Sequence, residues 1–287
     1  MAEPLRILSI GAHPADIFDQ CGGTMAHHTA RGDWVGCVVL THGARVHDKV
    51  ISDSMHGRET IPEASVLEGM IEERSDVKAQ EVRRACRLLG VEDLYFFGAD
   101  DSILLVTEEV VRRLARLLRK LRPNVILTHY PKEGDGVAQP HAITGQIVMH
   151  AIHFAHSVDP GDRNPPTKAA QVFFFGTGAA AVPSDVWAAR VGVYNDVLIE
   201  ITDVVDKKLA ALDCLESQGY GGAYARKRIE TSDGAFGVGG RVAYAEGFIK
   251  MNAEVHTYLP VTSHALRVAK ESDHEMMRRH SYRVRVD

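Results

Sequence analysis

The stretch Arg6–Leu40, RILSIGAHPADIFDQCGGTMAHHTARGDWVGCVVL, decides the fold class. Arg6 to Ile10 is a short apolar run ending at Gly11, and Trp34 to Leu40 is a second run rich in Val. Runs of this length without polar alternation read as parallel strands buried on both faces. Between them, Ile17 to Arg31 reads as a crossover helix stopped by Gly32. The beat repeats downstream. Leu94 to Phe97 and Asn124 to Thr128 are strand candidates, and amphipathic stretches run from Glu73 to Leu89 and from Thr107 to Leu121. The order βαβαβαβ implies an α/β protein, a mostly parallel sheet layered between helices, with ligands gathered beyond the carboxyl ends of the strands.

Further along, Gln171 to Phe175 and Val197 to Ile201 extend the strand pattern, followed by a helix from Val204 to Ser217. Residues 1–250 are therefore expected to form one domain. Residues 251–287, polar and scattered with His and Arg, read as a C-terminal arm. Ala44 to Ile71 carries Gly, Pro and mixed charge without clear periodicity, and reads as an insertion that covers the site.

Composition narrows the function. The 287 residues are 45% hydrophobic and 25% charged, which describes an ordinary soluble globular protein. A net charge of -5 leaves no electrostatic footprint for nucleic acid or an anionic membrane, so a small-molecule substrate is expected. No apolar run approaches the roughly 18 to 20 residues of a membrane helix, and the start MAEPLRILSIGAHP lacks a basic region followed by a long apolar core; a cytoplasmic protein is the expectation. Cys21, Cys37, Cys86 and Cys214 form no CxxC and read as small buried hydrophobes. The unusual count is 15 His, because imidazole is both the commonest transition-metal ligand and the physiological acid/base group.

Three polar, His-bearing loops follow strands: Gly11 to Asp16, Thr41 to His47 and His129 to His141. In the first, His13 and Asp16 leave one tight turn, and a His and a carboxylate three residues apart suit a divalent metal; an Asp capping the helix start is the plainer reading. His141, just after Pro140 at the head of another helix, completes a His/Asp/His set with open coordination positions, the pattern of a catalytic zinc site. In the second loop Arg45 can clamp a carboxylate in two parallel hydrogen bonds while His42 or His47 moves a proton. In the third, His129, Tyr130, Glu133 and Asp135 are candidates for a base or for a partner to a metal ligand. His150, His153 and His156 at helical spacing read as interface or packing residues, and His27 with His28 near a helix end read as structural.

The turn GAHPAD with Gly22 and Gly23, the Thr41-His42-Gly43 loop, Glu81 and Ala85 before Leu89-Gly90, the Thr128-His129 strand end, and Pro140-His141-Ala142-Ile143-Thr144-Gly145 resemble the ordered landmarks of the LmbE/PIG-L superfamily. The resemblance implies a Rossmann-like fold and places metal binding on His13, Asp16 and His141. It also exposes departures. The superfamily's signature reads A-H-P-D-D-E; its deacetylases carry an Asp, their proposed base, where Ala15 stands, and a Glu where Ile17 stands. Their assisting His falls on Ala138. The hydratase branch typified by 4-oxalomesaconate hydratase shares the loss, and Gln171-Val172-Phe173-Phe174-Phe175, Asp206-Lys207-Lys208 and Tyr244-Ala245-Glu246 resemble its later segments. The resemblance therefore implies a zinc-dependent enzyme acting with water on a small carboxylated substrate, a hydratase, with Zn2+ on His13, Asp16 and His141; His42, Arg45 and Asp135, from the loops read above, are the catalytic candidates. A homo-oligomer is implied on the same ground. The alternatives are an N-deacetylase or amidohydrolase with a substitute base, and a metal-binding module without catalysis.

Overall fold

The computed structural model describes residues 3–132, 139–175 and 194–281. Among the described residues, seven strands form one sheet: β1 (Arg6–Gly11), β2 (Trp34–Thr41), β3 (Asp93–Ala99), β4 (Val125–Thr128), β5 (Gln171–Phe175), β6 (Val197–Glu200) and β7 (Ala245–Lys250). Their spatial order is β3-β2-β1-β4-β5-β7-β6. Strands β3 to β5 pair in parallel, and β7 pairs antiparallel with both β5 and β6. The expected fold class, a mostly parallel α/β sandwich, is what the structure has.

The two layers of core follow from the two-residue period of the strands. Ile7, Val35, Cys37 and Val39 face one apolar cluster with α1 (Asp16–Arg31) and α3 (Ala64–Leu88). Leu8, Ile10, Val38 and Leu40 face the other, with α4 (Glu108–Leu121) and α5 (Pro140–His156). Burial on both faces explains the unbroken apolar runs.

The stretch expected to be irregular, Ala44 to Ile71, is partly helical. It contains α2 (Lys49–Met55) and the first two turns of α3. No apolar period announces α2. It is started by the Asp48 carboxylate, which accepts the amides of Val50 and Ile51 at 3.0 and 3.1 Å. Beyond β6 the chain forms α6 (Val205–Asp213), a short 3-10 turn (Glu216–Gln218), α7 (Ala223–Thr231) and α8 (Asp233–Gly240); α9 (Ser263–Val268) and α10 (Asp273–His280) follow β7. The expected helix to Ser217 thus ends early, at Asp213. All four cysteines are free.

One device matters for the site. Helix α1 is kinked at Cys21, whose φ of -147° breaks the helical ladder. The freed amides of Gly23 and Thr24 donate to the two oxygens of the Glu246 carboxylate, at 2.8 and 2.7 Å. Lys208 reaches the same carboxylate at 2.8 Å and Asp233 at 2.8 Å. A buried side chain of the antiparallel strand therefore caps the second half of the first helix, whose first turn carries Asp16.

Candidate metal centre

Strand order reverses between β1 and β4, which pair with each other while their following segments lead to opposite sides of the sheet. Such a switch point leaves a crevice beyond the strand ends. The turn after β1 supplies His13 and Asp16, and the segment after β4 supplies His129 and, through the start of α5, His141. Close approach there depends on Gly145: a Cβ at this position would stand 2.5 Å from the His129 carbonyl, so only glycine lets α5 lie on that loop.

The three expected ligands are brought together. His13 Nδ1 lies 3.2 Å from His141 Nε2 and 3.4 Å from Asp16 Oδ2, and His141 Nε2 lies 3.5 Å from Asp16 Oδ1. Asp16 is not a simple helix cap. Its Oδ2 accepts the His13 amide at 2.7 Å and faces His129 Nε2 at 3.1 Å, which fixes the carboxylate toward the crevice. Burial would raise its pKa, but His141, His13 and His129 outweigh that and hold the carboxyl well below its usual value.

The donors fit a metal ion. Ligand atoms about 2.0–2.1 Å from a tetrahedral ion stand on the order of 3.3 Å from one another, and the separations here are 3.2, 3.4 and 3.5 Å. The other nitrogen of His13, Nε2, is buried without a hydrogen-bond partner among the described residues. Its ring meets His47 edge-on with centroids 4.3 Å apart. His129 stacks on His141 at 4.4 Å, within an 8° interplanar angle.

The remaining candidates divide. His42 and Arg45 face Asp101 and Asp100 rather than the triangle: His42 Nδ1 is 3.2 Å from Asp101 Oδ1, and Arg45 Nη1 is 3.2 Å from Asp100 Oδ2. His42, Asp100 and Asp101 are also spaced like metal ligands. Both Asp101 oxygens are filled, however, by the amides of Arg45 and Val46, so this group acts as a clasp for the loop. Glu133, Asp135 and Ala138 lie outside the described residues. Ala15 is buried in the core cluster, so no carboxylate stands there. His28 pairs with Asp33 at 2.6 Å, in keeping with its structural reading.

His47 is placed more centrally than its loop suggested. The residue remains exposed to solvent on one side, but desolvation of its ring against the site, reinforced by His13, pushes its pKa down to about 4, so the imidazole is neutral near pH 7. The ammonium of Lys78, buried on α3, donates to the His47 carbonyl at 3.1 Å and to Ser217 Oγ at 3.0 Å. Glu81 accepts the Ser217 amide at 2.9 Å and its hydroxyl at 2.6 Å. A Lys in a helical stretch gives no hint in sequence that it anchors a loop and a turn more than a hundred residues apart.

Residues 8–152 match the family described as PIG-L: GlcNAc-PI de-N-acetylase. The chain is 26% identical over 215 residues to a 4-oxalmesaconate hydratase of Pseudomonas putida KT2440, covering 74% of this chain and 73% of that protein. It is 28% identical over 213 residues to a 1D-myo-inositol 2-acetamido-2-deoxy-alpha-D-glucopyranoside deacetylase of Thermomonospora curvata, covering 67% and 65%. Its fold superposes on the solved 4-carboxy-2-hydroxymuconate hydratase of Pseudomonas putida KT2440 with a TM-score of 0.67 at 22% identity, covering 89% of this chain and all of the other.

Proposed function

The chain belongs to the PIG-L family, and on that premise we propose that it is a zinc-dependent enzyme that directs water at a small carboxylated substrate, adding it across an activated C=C bond. The observation that carries the reading is the triangle of His13, Asp16 and His141, whose three edges suit one ion and leave room for further ligands. Zinc held there supplies Lewis-acid polarisation and makes water acidic near neutral pH.

The chain's own groups do the rest. Asp16, held by the His13 amide, keeps its charge toward the site. His47, neutral and packed against His13, takes the proton of the attacking water as the C–O bond forms and gives it back to the other carbon of the former double bond. Arg45, half-exposed and bound to the partly exposed Asp100, can turn its guanidinium to a substrate carboxylate. What favours addition over amide hydrolysis is Ala15: an amide needs a group that takes water's proton and returns it to a poor leaving nitrogen, and a buried methyl cannot. Asp135, outside the described residues, is kept in this reading as a candidate proton carrier. Residues 1–250 act as the catalytic unit in this reading, with the segment after 250 as an arm; the site is expected to work in the cytoplasm and within a homo-oligomer.

The related deacetylases sustain a second reading, N-deacetylation with His47 as the substitute base. One experiment separates the two. Zinc-loaded and chelator-treated protein are offered unsaturated dicarboxylates, read by loss of conjugated absorbance, and N-acetyl sugars, read by acetate release. Zinc-dependent hydration alone supports the first reading and acetate release alone the second; no turnover of either class leaves a metal-binding module.

A further inference from the structure

The first half of α3 has little of its own chain to hold it. None of residues 64–77 is buried, and burial along the helix starts only at Lys78. A helical segment of that length is marginal in water unless an apolar face is packed. Such a face exists. Leu67, Met70 and Ile71 share one side at the i, i+3, i+4 spacing, while Val66 on the helix and Ile61 before it are 53% and 69% exposed. Between this half and α2 lies a cavity of about 280 Å³, lined by Ile51, Leu67 and Ile71 together with Arg45 of the site loop. The charge around it is of one sign. Glu63, Glu68, Glu72, Glu73 and Asp76 are exposed, and Arg74, the sole cation of residues 64–77, is spent on Asp48 at 3.0 Å.

The same chain carries the complement of that limb elsewhere. β3 is an edge strand of the sheet, and a groove of about 550 Å³ runs along it and α4. Phe96, Phe97 and Leu117 supply apolar surface there, Arg83, Arg113 and Lys120 supply charge, and among the described residues no acidic side chain lines it. Arg83 lies over the Phe96 ring at 5.0 Å and Arg113 over the Phe97 ring at 4.1 Å. Arg113 also donates to the Phe96 and Phe97 carbonyls, at 3.0 and 2.8 Å. Filled carbonyls close this edge to the addition of a strand, so what suits the groove is a helix with an apolar stripe and acidic flanks.

We propose that the first half of α3 seats in the β3–α4 groove of a second copy of this chain. Its apolar side chains meet Phe96, Phe97 and Leu117 of the neighbour. Glu68, Glu72 and Asp76 fall one per turn on α3, as Arg113, Arg116 and Lys120 do on α4, so helices laid side by side bring carboxylates to cations. Two different faces of one chain make the contact heterologous, and a closed assembly built from it is a ring. The neighbour then covers the cavity beside Arg45, and the helix it holds continues to Lys78, which anchors the His47 carbonyl. The proposal rests on the homo-oligomer expected above and is independent of the reaction that the site performs.

The test is the mass of the full chain, by light scattering and sedimentation across a micromolar concentration series at low and high salt. Wild type should be a multiple of the chain mass and dissociate as salt rises. Glu68→Lys with Glu72→Lys, and separately Arg83→Glu with Lys120→Glu, should each raise the dissociation constant at least about 100-fold, because like charges then face each other across the contact. The chain carrying all four reversals, and an equal mixture of the two double variants, should associate again. Circular dichroism shows that each variant is folded, and Val66→Lys, at an exposed position, tests the helix face a second time by the same loss of mass. A wild type that stays monomeric overturns the proposal together with the homo-oligomer. An oligomer indifferent to either pair of reversals, or not restored by all four, overturns the docking and leaves the homo-oligomer standing.

Discussion

Replacing Glu246 by Gln tests whether the far strand holds the metal turn in place. The carboxylate receives the amides of Gly23 and Thr24 and the ammonium of Lys208, at 2.8, 2.7 and 2.8 Å, all buried. Gln offers one acceptor oxygen and a donor amide, so one of the two backbone N–H groups loses its acceptor and the second half of α1 loses its cap. Lys208 then keeps only Asp233, at 2.8 Å, a carboxyl whose pKa burial raises and which is therefore the weaker partner. An orphaned buried amide costs about 1–3 kcal/mol and a charge-assisted bond about 1.5–3 kcal/mol, so a loss of about 3 kcal/mol is expected once the remaining contacts relax. For a chain of this size that is roughly 6 °C in melting temperature. Urea unfolding of zinc-free wild type and Glu246→Gln at pH 7 should show a lower midpoint with the same m-value. Amide exchange in the variant should speed up at Gly23 and Thr24 before it does so in β1. A midpoint within error of wild type, or exchange that rises uniformly, would refute the claim that this cap holds the turn.

Three further outcomes are expected. Burial depresses the Lys78 pKa to about 8 from an ordinary 10.5, so the unfolded state binds the extra proton between those values; stability from this group should rise with pH across that window, by up to about 3 kcal/mol, and Lys78→Met should flatten the slope in unfolding titrations at pH 7, 8.5 and 10. Native protein should be alkylated at Cys214 alone, because Cys21, Cys37 and Cys86 are buried, and slowly at neutral pH because partial burial raises the Cys214 thiol, as mass spectrometry of labelled peptides would show. Asp16→Asn should cut zinc affinity by at least about 100-fold, while His47→Gln should keep zinc and lose turnover by about 10² to 10⁴; a variant His47→Gln with wild-type turnover would remove the imidazole from proton transfer.

The first half of the chain was largely legible. Four of the parallel strands and the turn bearing His13 and Asp16 have local signals: unbroken apolar runs, a glycine closing the first strand, an imidazole and a carboxylate three residues apart. Meeting His141 needed only the rule that ligands gather at strand ends. What stayed hidden depends on long-range packing. Helix α2 starts at a capping Asp48 and has one buried residue, Ile51, so no apolar period marks it. Strand β7 reads as Ala-Glu-Gly-Phe-Ile-Lys, and its Glu246 resembles a surface residue until Lys208 and two amides are seen to require it. His47 looked like one of several loop histidines; only the fold sets it against His13.

The cap on α1 joins residues 223 positions apart. A ribosome adding about 5–20 residues per second needs on the order of 10 to 45 s to deliver Glu246 after Gly23 has been made. Throughout that interval the amides of Gly23 and Thr24 have no carboxylate, and β5 lacks its antiparallel neighbour. The parallel half can therefore assemble early on the nascent chain, but the cap on the helix that follows His13 and Asp16 forms only after Glu246 has left the ribosome. Truncation anywhere before residue 246 should then yield a collapsed sheet that binds metal weakly, which makes β7 the checkpoint for maturation of the first turn.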